Sequence, residues 1–203
     1  PTDAPPISFL PGPVAIGKHV HAALAQPAIS HRSRTFVLQM ADVQQRLCEL
    51  TNAPRAILML GSGTLANEAI AGQIATSKQA GVVVVDGEFG SRLADHARRW
   101  SLPFATFERD WGSPWSLAEL QQFVAERPDV RWLWITLCET STGVLRNLAA
   151  LRAMCATCNI DLYLDAVSAI GAVPVDLRGV RMASAVSGKA LGSFPGIAIV
   201  FHD

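Results

Sequence analysis

Short apolar runs, alternating with longer helical stretches, constrain the fold of this chain more than any other feature. Such runs, without a polar residue at every second position, are typical of strands that are buried on both faces. The runs are 56–60, 81–86, 104–107, 130–137, 160–165, 183–186 and 197–201. Strands of this kind occur mainly in sheets that carry a layer of helices on each side.

The stretches between the runs have the length and periodicity of helices. They are 65–77, 90–100, 117–126 and 148–158, and residues 36–50 predict a further helix before the first run. This alternation predicts an α/β fold, a mostly parallel seven-stranded sheet with helices on both faces. In such sheets ligands gather at the carboxyl ends of the strands. A functional site is therefore expected in the residues that directly follow the runs.

Charge and composition indicate which classes of molecule this chain is expected to bind. The chain of 203 residues carries 17 Lys and Arg against 17 Asp and Glu, and half of its residues are hydrophobic. This composition is enough for a substantial core and supplies no global basic field for nucleic acid or an anionic membrane. No apolar run approaches the roughly 20 residues of a membrane span, and the start lacks a signal-peptide pattern. We expect small-molecule or subunit partners and a cytoplasmic location.

Lys189 and Asp165 form the most informative pair of polar residues. Lys189 lies among small residues just after run 183–186, and Asp165 ends run 160–165. An amine on a strand-end loop can form a Schiff base with an aldehyde, and a carboxylate on a neighbouring strand end can keep a pyridine nitrogen protonated. Pyridoxal phosphate (PLP) chemistry needs such a pair. Taken singly, a solvated lysine and a strand-end aspartate are the commoner interpretations, so other residues must agree.

A glycine-rich turn supplies the next part of the pattern. Gly61-Ser62-Gly63-Thr64 follows run 56–60 and opens the predicted helix 65–77. Backbone amides and hydroxyls at the positive end of a helix dipole bind phosphate. A purely structural turn is the alternative, because glycine solves turn geometry without any ligand. Together with Asp165 and Lys189, the turn predicts a phosphate site.

Several motifs together resemble the class V, fold type I PLP-dependent aminotransferases. The resemblance is to the branch with alanine–glyoxylate, serine–pyruvate and 2-aminoethylphosphonate aminotransferases, and it runs from about residue 8 to the end. The matching stretches are Pro11-Gly12-Pro13, Ser30-His31-Arg32-Ser33, Gly61-Ser62-Gly63-Thr64 with Glu68, Cys138-Glu139-Thr140-Ser141-Thr142-Gly143-Val144, Asp165-Ala166-Val167-Ser168, and Ser187-Gly188-Lys189-Ala190 followed by Pro195-Gly196.

The resemblance implies a transaminase with PLP as its cofactor and a homodimeric assembly. It would move an amino group from a small donor of the alanine, serine or 2-aminoethylphosphonate type to pyruvate or glyoxylate. In this reading Lys189 and Asp165 are catalytic: Lys189 holds the cofactor and moves the substrate proton, and Asp165 binds the ring nitrogen. The implied cofactor contacts are Ser62, Gly63, Thr64, Phe89, Thr140, Asp165, Val167 and Lys189.

The resemblance also implies roles for the residues around the cofactor ring. Phe89 stacks on one face of the pyridine ring and Val167 covers the other, although Phe89 also suits plain core packing. Thr140 offers a hydroxyl near the ring, and Glu139 braces the loop rather than acting as a base.

His31 and Arg32 are candidate substrate contacts at the active-site mouth. An interface-packing role is at least as strongly favoured for the two residues, since arginine is frequent in interfaces as well as in anion sites. Gly188 departs from the many alanine–glyoxylate relatives that carry glutamine before the lysine. The identity of the amino donor therefore stays divided between the alanine–glyoxylate and the aminoethylphosphonate groups.

The resemblance also predicts the domain organisation. Residues 1–52 would form an N-terminal arm and an interface or packing helix, and residues 53–203 the large PLP-binding domain, which stops shortly after the Schiff-base lysine. The family's small C-terminal domain, with its substrate-carboxylate arginine, has no counterpart in the sequence. A fragment, a second chain with the remainder, and a shortened form are all open. The alternative functions are a class V lyase or desulfurase and a truncated, non-catalytic PLP-binding or dimerisation module.

The cysteines and histidines predict no metal site. Cys155 and Cys158 form a C-x-x-C, but it lies in the predicted helix 148–158 and no second ligand pair accompanies it. Buried helix cysteines are therefore the favoured interpretation. The remaining histidines lack metal-ligand spacing and are expected at the surface. They are His19, His21, His96 and His202.

Overall fold

The computed structural model of the protein describes residues 10–203, and it is built on one central sheet. Its strands and those of a separate short ladder are β1 (Arg55–Leu60), β2 (Ala80–Val85), β3 (Phe104–Glu108), β4 (Val130–Thr136), β5 (Cys138–Glu139), β6 (Val144–Leu145), β7 (Asp161–Asp165), β8 (Met182–Val186) and β9 (Ile197–His202). The main sheet has seven strands in the order β1-β9-β8-β7-β4-β2-β3, and β5 pairs with β6.

The seven-stranded, mostly parallel sheet is confirmed. Strands β3, β2, β4, β7 and β8 are parallel to one another. Strand β9 is antiparallel to both of its neighbours, β8 and β1. This reversal and the short β5–β6 ladder were not foreseen, because an apolar run carries no information about strand direction.

Helices cover both faces of the sheet. They are α1 (Lys18–Leu24), α2 (Arg34–Thr51), α3 (Gly63–Ser77), α4 (Glu88–Arg99), α5 (Leu117–Ala125) and α6 (Leu148–Cys158). Five of these six overlap the predicted helices; the short α1 lies where none was predicted. No helix in residues 10–203 has both the length and the apolar character needed to cross a membrane.

Successive residues of the central strands enter two different cores. In β4, Leu133 and Ile135 pack with α5 and α6 on one side, and Trp132 and Trp134 pack with α3 and α4 on the other. All four of these side chains are at most 1% exposed. Because both faces are buried, the strands need no polar alternation, and this explains the continuous apolar runs in the sequence.

The segment before the sheet is anchored on its β1 edge. Gln44 of α2 donates a hydrogen bond from Nε2 to the carbonyl oxygen of Ala56, at 2.9 Å. The carbonyl oxygen of Thr51, at the end of α2, accepts from the backbone N–H of Leu177 at 2.8 Å. Residues 1–9 of the predicted arm lie outside the described residues.

The topology brings distant parts of the chain to one edge of the sheet. Strands β1, β2, β4, β7 and β8 all run in the same direction, so their carboxyl ends meet at this edge. The segments that follow these strands begin at Gly61, Asp86, Leu137, Ala166 and Ser187. Every motif singled out from the glycine-rich turn onward lies in or beside one of these segments.

The C-x-x-C pair lies in α6 as predicted. All four cysteines of the chain are free thiols, and Cys155 is 3% exposed. Burial raises the pKa of the Cys155 thiol to about 12. Within residues 10–203, no group of three or more His, Cys, Asp or Glu residues is arranged to hold a metal ion.

We predict that Cys155 resists alkylation in the folded protein. With a pKa of about 12, roughly one Cys155 thiol in ten thousand is ionised at pH 8, and the thiolate is the reactive form. Maleimide labelling at pH 8 followed by peptide mapping should therefore find Cys155 unmodified in the native chain and modified after unfolding in guanidinium. Equal labelling rates in both states would contradict the burial of this residue.

Candidate cofactor site

A cavity of about 360 Å³ lies at the carboxyl edge of the sheet, beside the starts of α3 and α4. It collects residues that are far apart in the sequence. The predicted cofactor residues that line it are Ser62, Gly63, Thr64, Phe89, Asp165, Val167 and Lys189. Of the predicted set, Thr140 alone does not line the cavity.

Asp165 places a buried carboxylate at this edge. It is the last residue of β7 and is 6% exposed. Its Oδ1 accepts a hydrogen bond from the backbone N–H of Val167, and its Oδ2 accepts from Nδ2 of Asn67, both at 3.0 Å. Burial raises the pKa of the Asp165 carboxyl, and the hydrogen bonds from Val167 and Asn67 act in the opposite direction. With these two close donors, the Asp165 carboxyl keeps capacity to accept a further hydrogen bond.

Lys189 follows the neighbouring strand β8 and is partly buried. Its Nζ donates a hydrogen bond to the carbonyl oxygen of Pro11 at 3.3 Å. A Cβ atom at Gly12 would lie 2.8 Å from the same Nζ, so a larger residue there would require the lysine side chain to shift. The Pro11-Gly12-Pro13 motif, which carried part of the resemblance but had no contact assigned to it, therefore packs against Lys189.

The start of α3 presents free hydrogen-bond donors to the cavity. Ser33 and Asn147 cap their helices by accepting a hydrogen bond from a backbone N–H three residues on. Ser62 stands at the equivalent position of α3, yet its side chain makes no capping bond. The first N–H groups of α3 and the exposed hydroxyl of Ser62 are therefore available to an anion.

The two residues expected to flank a ring both line the cavity. Val167 packs against the first turn of α3, because a Cβ at Gly63 would come within 2.9 Å of its Cγ2. Phe89 is half-buried at the start of α4, with the guanidinium carbon of Arg92 5.1 Å from its ring centre. A flat ring between Phe89 and Val167 would have Asp165 within the same cavity.

Glu139 braces the loop, as expected. Its side chain is fully buried. Oε2 accepts from the backbone N–H groups of Phe89 and Gly90, both at 3.0 Å, and Oε1 accepts from the backbone N–H and the hydroxyl of Ser141. With these four hydrogen bonds, Glu139 ties the start of α4 to the loop after β4.

Thr140 has a buried hydroxyl with no hydrogen-bond partner among the described residues. An unpartnered buried hydroxyl is unfavourable unless something else satisfies it. In the cavity itself, the free donors at α3, the buried carboxyl of Asp165 and the amine of Lys189 make a set of polar groups that fits PLP. The fit covers the phosphate, the ring nitrogen and the aldehyde.

His31 and Arg32 are exposed, and neither lines the cavity. They lie in the turn before α2, where the backbone N–H of Arg32 donates to Oγ of Ser30 at 3.2 Å. Their assignment as substrate contacts stays a prediction.

Three polar side chains that line the cavity were missed by the sequence reasoning: Asn67, Arg92 and His96. The expectation that His96 is a surface residue is wrong, since it is 3% exposed. Its Nδ1 lies 2.7 Å from Oε1 of Glu68. This contact between α4 and α3 gives the buried imidazole a hydrogen-bond partner. The available signal was its helical spacing from Phe89 and Arg92, which puts all three on one face of α4.

A second cavity, of about 450 Å³, lies beside Trp115 and Arg146. Its buried charges are paired with each other: Nη2 of Arg146 lies 2.6 Å from both carboxylate oxygens of Asp86. Trp115 donates to the same carboxylate from Nε1 at 2.6 Å. Because these groups satisfy one another, this cavity offers less free hydrogen-bonding capacity than the one at Lys189.

Comparison with known proteins identifies the family of the chain. Residues 16–202 match the family model of aminotransferase class-V. The chain belongs to the class V aminotransferases. Members of this family depend on PLP, and the residues around Lys189 and Asp165 fit that cofactor.

The curated relatives agree with the family. A 2-aminoethylphosphonate–pyruvate transaminase from Pseudomonas aeruginosa is 32% identical over 201 residues, which are 97% of this chain and 54% of the relative. One of the same name from Pseudomonas putida is 30% identical over 203 residues. The chain spans about half the length of these relatives.

Solved structures share the fold. An alanine–glyoxylate aminotransferase from Nostoc sp. superposes with a TM-score of 0.85 at 28% identity, over all of this chain and 56% of that one. A pyridoxamine–pyruvate aminotransferase from Mesorhizobium loti gives a TM-score of 0.90 at 18% identity. The match covers all of this chain and 53% of the M. loti chain. The likeness of the second structure concerns the fold alone.

We predict that Glu139→Ala lowers the free energy of unfolding by about 3 kcal/mol, because buried backbone N–H groups lose their acceptor. Glu139→Gln keeps one acceptor oxygen and should lower it less. Denaturant unfolding measures both variants against Glu126→Ala, which removes an exposed carboxylate. If Glu139→Ala were as stable as Glu126→Ala, the bracing role would be refuted.

Proposed function

We propose that this chain is the PLP-binding part of an aminotransferase that moves an amino group from a small donor to pyruvate or glyoxylate. The observation that carries the proposal is the shared cavity. It brings the amine of Lys189, the buried carboxylate of Asp165 and the free start of α3 together at one edge of the sheet. The family match and the names of the relatives favour this function over a lyase, a desulfurase or a non-catalytic module.

PLP, when bound, supplies an aldehyde that joins amines as a Schiff base and a ring that withdraws electrons from the reacting carbon. Lys189 provides the amine that holds the cofactor, and its Nζ, once free, carries the proton away from the substrate carbon. Asp165 would accept a hydrogen bond from the ring nitrogen and keep that nitrogen protonated. A buried carboxylate suits this task, because charge interactions are stronger away from water.

The remaining residues bind and orient. The backbone N–H groups of Gly63 and Thr64 and the hydroxyl of Ser62 hold the phosphate at the start of α3. Phe89 and Val167, which both line the cavity, would lie against the ring and keep water from it. The hydroxyl of Thr140, which has no partner among the described residues, is the proposed donor to an oxygen near the ring.

The proposed donors are alanine, serine and 2-aminoethylphosphonate, with pyruvate or glyoxylate as acceptor. The names of the relatives support this range, since one group is named for 2-aminoethylphosphonate and pyruvate and another for alanine and glyoxylate. His31 and Arg32 are proposed as contacts for the anionic group of the substrate. Free thiols at all four cysteines support a cytoplasmic location.

We predict that the purified chain binds PLP covalently and reversibly through Lys189. Added PLP should give an imine absorbance band, and borohydride should fix a pyridoxyl group on the peptide that contains Lys189, as mass spectrometry would detect. Lys189→Ala should bind PLP without any fixed group. Lys78→Ala, on the exposed end of α3, is the matched control and should behave like the wild type.

Either of two results would refute the assignment of Lys189. One is the absence of an imine band in the wild type, and the other is a borohydride-fixed group that survives in Lys189→Ala. Activity would then be screened by following pyruvate or glyoxylate consumption with each proposed amino donor.

We also propose a homodimer in which residues 10–52, as arm and packing helix, contribute to the interface, while residues 53–203 form the PLP-binding domain. Exposed apolar side chains of α2 support this. Val37 is 57% exposed, Leu38 59% and Leu50 54%, and Leu60 at the end of β1 is 86% exposed. A surface of this kind is unfavourable in water and suits a subunit contact.

We predict that Leu38→Glu shifts the chain from dimer to monomer, because a charge would be buried in the apolar contact. Sedimentation equilibrium measures the dissociation constant, which should rise at least about tenfold. Gln121→Glu adds the same charge at an exposed position of α5, outside the proposed interface, and is the control. A monomeric wild type, or a dimer equally tolerant of both substitutions, would contradict the proposed interface.

A further inference from the structure

We propose that Asn67 is a positioning residue of the site: its side-chain amide holds the Asp165 carboxylate in place as the acceptor for a ring N–H. The inference rests on the proposed function, and it assigns a task to a residue that sequence reasoning did not select. Asn67 would act through Asp165 rather than on the substrate.

The contact joins two buried side chains from distant parts of the chain. Asn67 lies in the second turn of α3, is 6% exposed and lines the cavity. Its Nδ2 donates to Oδ2 of Asp165 at 3.0 Å. Nothing else among the described residues donates to that oxygen, since Val167 and Ser184 both approach Oδ1.

The orientation of the amide follows from the chemistry of its partner. An ionised carboxylate only accepts hydrogen bonds, so Asn67 must turn its NH₂ group toward Asp165. Its Oδ1 is then left buried with no partner among the described residues. A buried carbonyl without a partner destabilises a fold. The flanking helix positions Ala66, Ile70 and Ala71 are buried and apolar, so an apolar side chain would suit packing better here.

The electrostatic surroundings of Asp165 explain what the Asn67 amide contributes. Burial and the nearby Glu139 both favour the protonated form of the Asp165 carboxyl, whereas Val167, Asn67 and Ser184 favour the ionised form. The other charged or titratable groups that line the cavity are Arg92 and His96 on α4 and Lys189 after β8. Among the side chains that hydrogen-bond Asp165, only Asn67 comes from the helix whose start forms the proposed phosphate site.

Fixing Oδ2 has a specific consequence for binding. Without the amide, Oδ2 loses its donor, and the carboxyl is held at Oδ1 alone and more readily takes up a proton. A ligand with a ring N–H then loses its aligned acceptor, whereas a ligand without that N–H loses nothing at this position. The phosphate contacts at Ser62, Gly63 and Thr64 do not involve Asp165 and stay in place.

The test compares two ligands on the whole chain. They are PLP and its analogue in which carbon replaces the ring nitrogen. Dissociation constants are measured by absorbance titration for the wild type, Asn67→Leu and Asn67→Ala. Gln73→Leu, which removes an exposed amide from the same helix, is the matched control. Thermal melting without ligand checks that each variant folds.

The expected result is that Asn67→Leu and Asn67→Ala bind PLP about tenfold more weakly, the range for one hydrogen bond to a charged group. Their affinity for the carbon analogue should equal that of the wild type. In an Asp165→Ala background, the Asn67 substitutions should have no further effect on PLP affinity, because the two residues act as one unit.

Two outcomes overturn the inference while leaving the proposed function standing. One is unchanged PLP affinity in a folded Asn67 variant, and the other is an equal loss for PLP and for the carbon analogue, which indicates a structural role only. A wild type that binds neither ligand refutes the proposed function itself. A variant that fails to fold is replaced by the other, and if neither folds, the role of Asn67 is structural and the inference falls.

Discussion

Parallel pairing of strands that are buried on both faces determines where this protein can have a site. Strands β2, β4, β7 and β8 run in one direction, so the loops after them converge on one edge of the sheet. Helices cover both faces, so this edge is where the polar backbone of the loops and the helix starts meet solvent. The cavity at Lys189 and Asp165 follows from this arrangement, because each residue lies at the end of its strand.

Buried carboxylates organise the surroundings of the cavity. Glu139 has four hydrogen-bond donors, which offset the unfavourable free energy of removing its charge from water. Asp165 has fewer, and one of its donors is the amide of Asn67. Glu139 therefore connects two loops, whereas Asp165 keeps the capacity to accept a hydrogen bond from a ligand. Burial alone does not distinguish these two roles, whereas the number of donors does.

The sequence predicted those parts of the site that directly follow a strand. Ser62, Asp165 and Lys189 could be placed because apolar runs locate the strands and the site lies at their ends. Asn67 could not, because it sits inside a helix and meets its partner across elements, and for His96 the available signal was its spacing along α4. Asn67 and Asp165 are 98 residues apart, and no local pattern encodes that contact. The antiparallel direction of β9 could not be predicted for the same reason. The apolar residues of one strand do not specify which strands it pairs with.

The reversed direction of β9 also determines where a fluorescent reporter for the cavity can be attached. Since β9 runs against β8, it starts near the loop of Lys189 and carries the chain to the opposite edge of the sheet at His202. A strand of this length spans about 20 Å. A fluorescent reporter attached beyond His202 would therefore sit on the far side of the sheet, where it could read the state of the cavity by energy transfer without blocking entry.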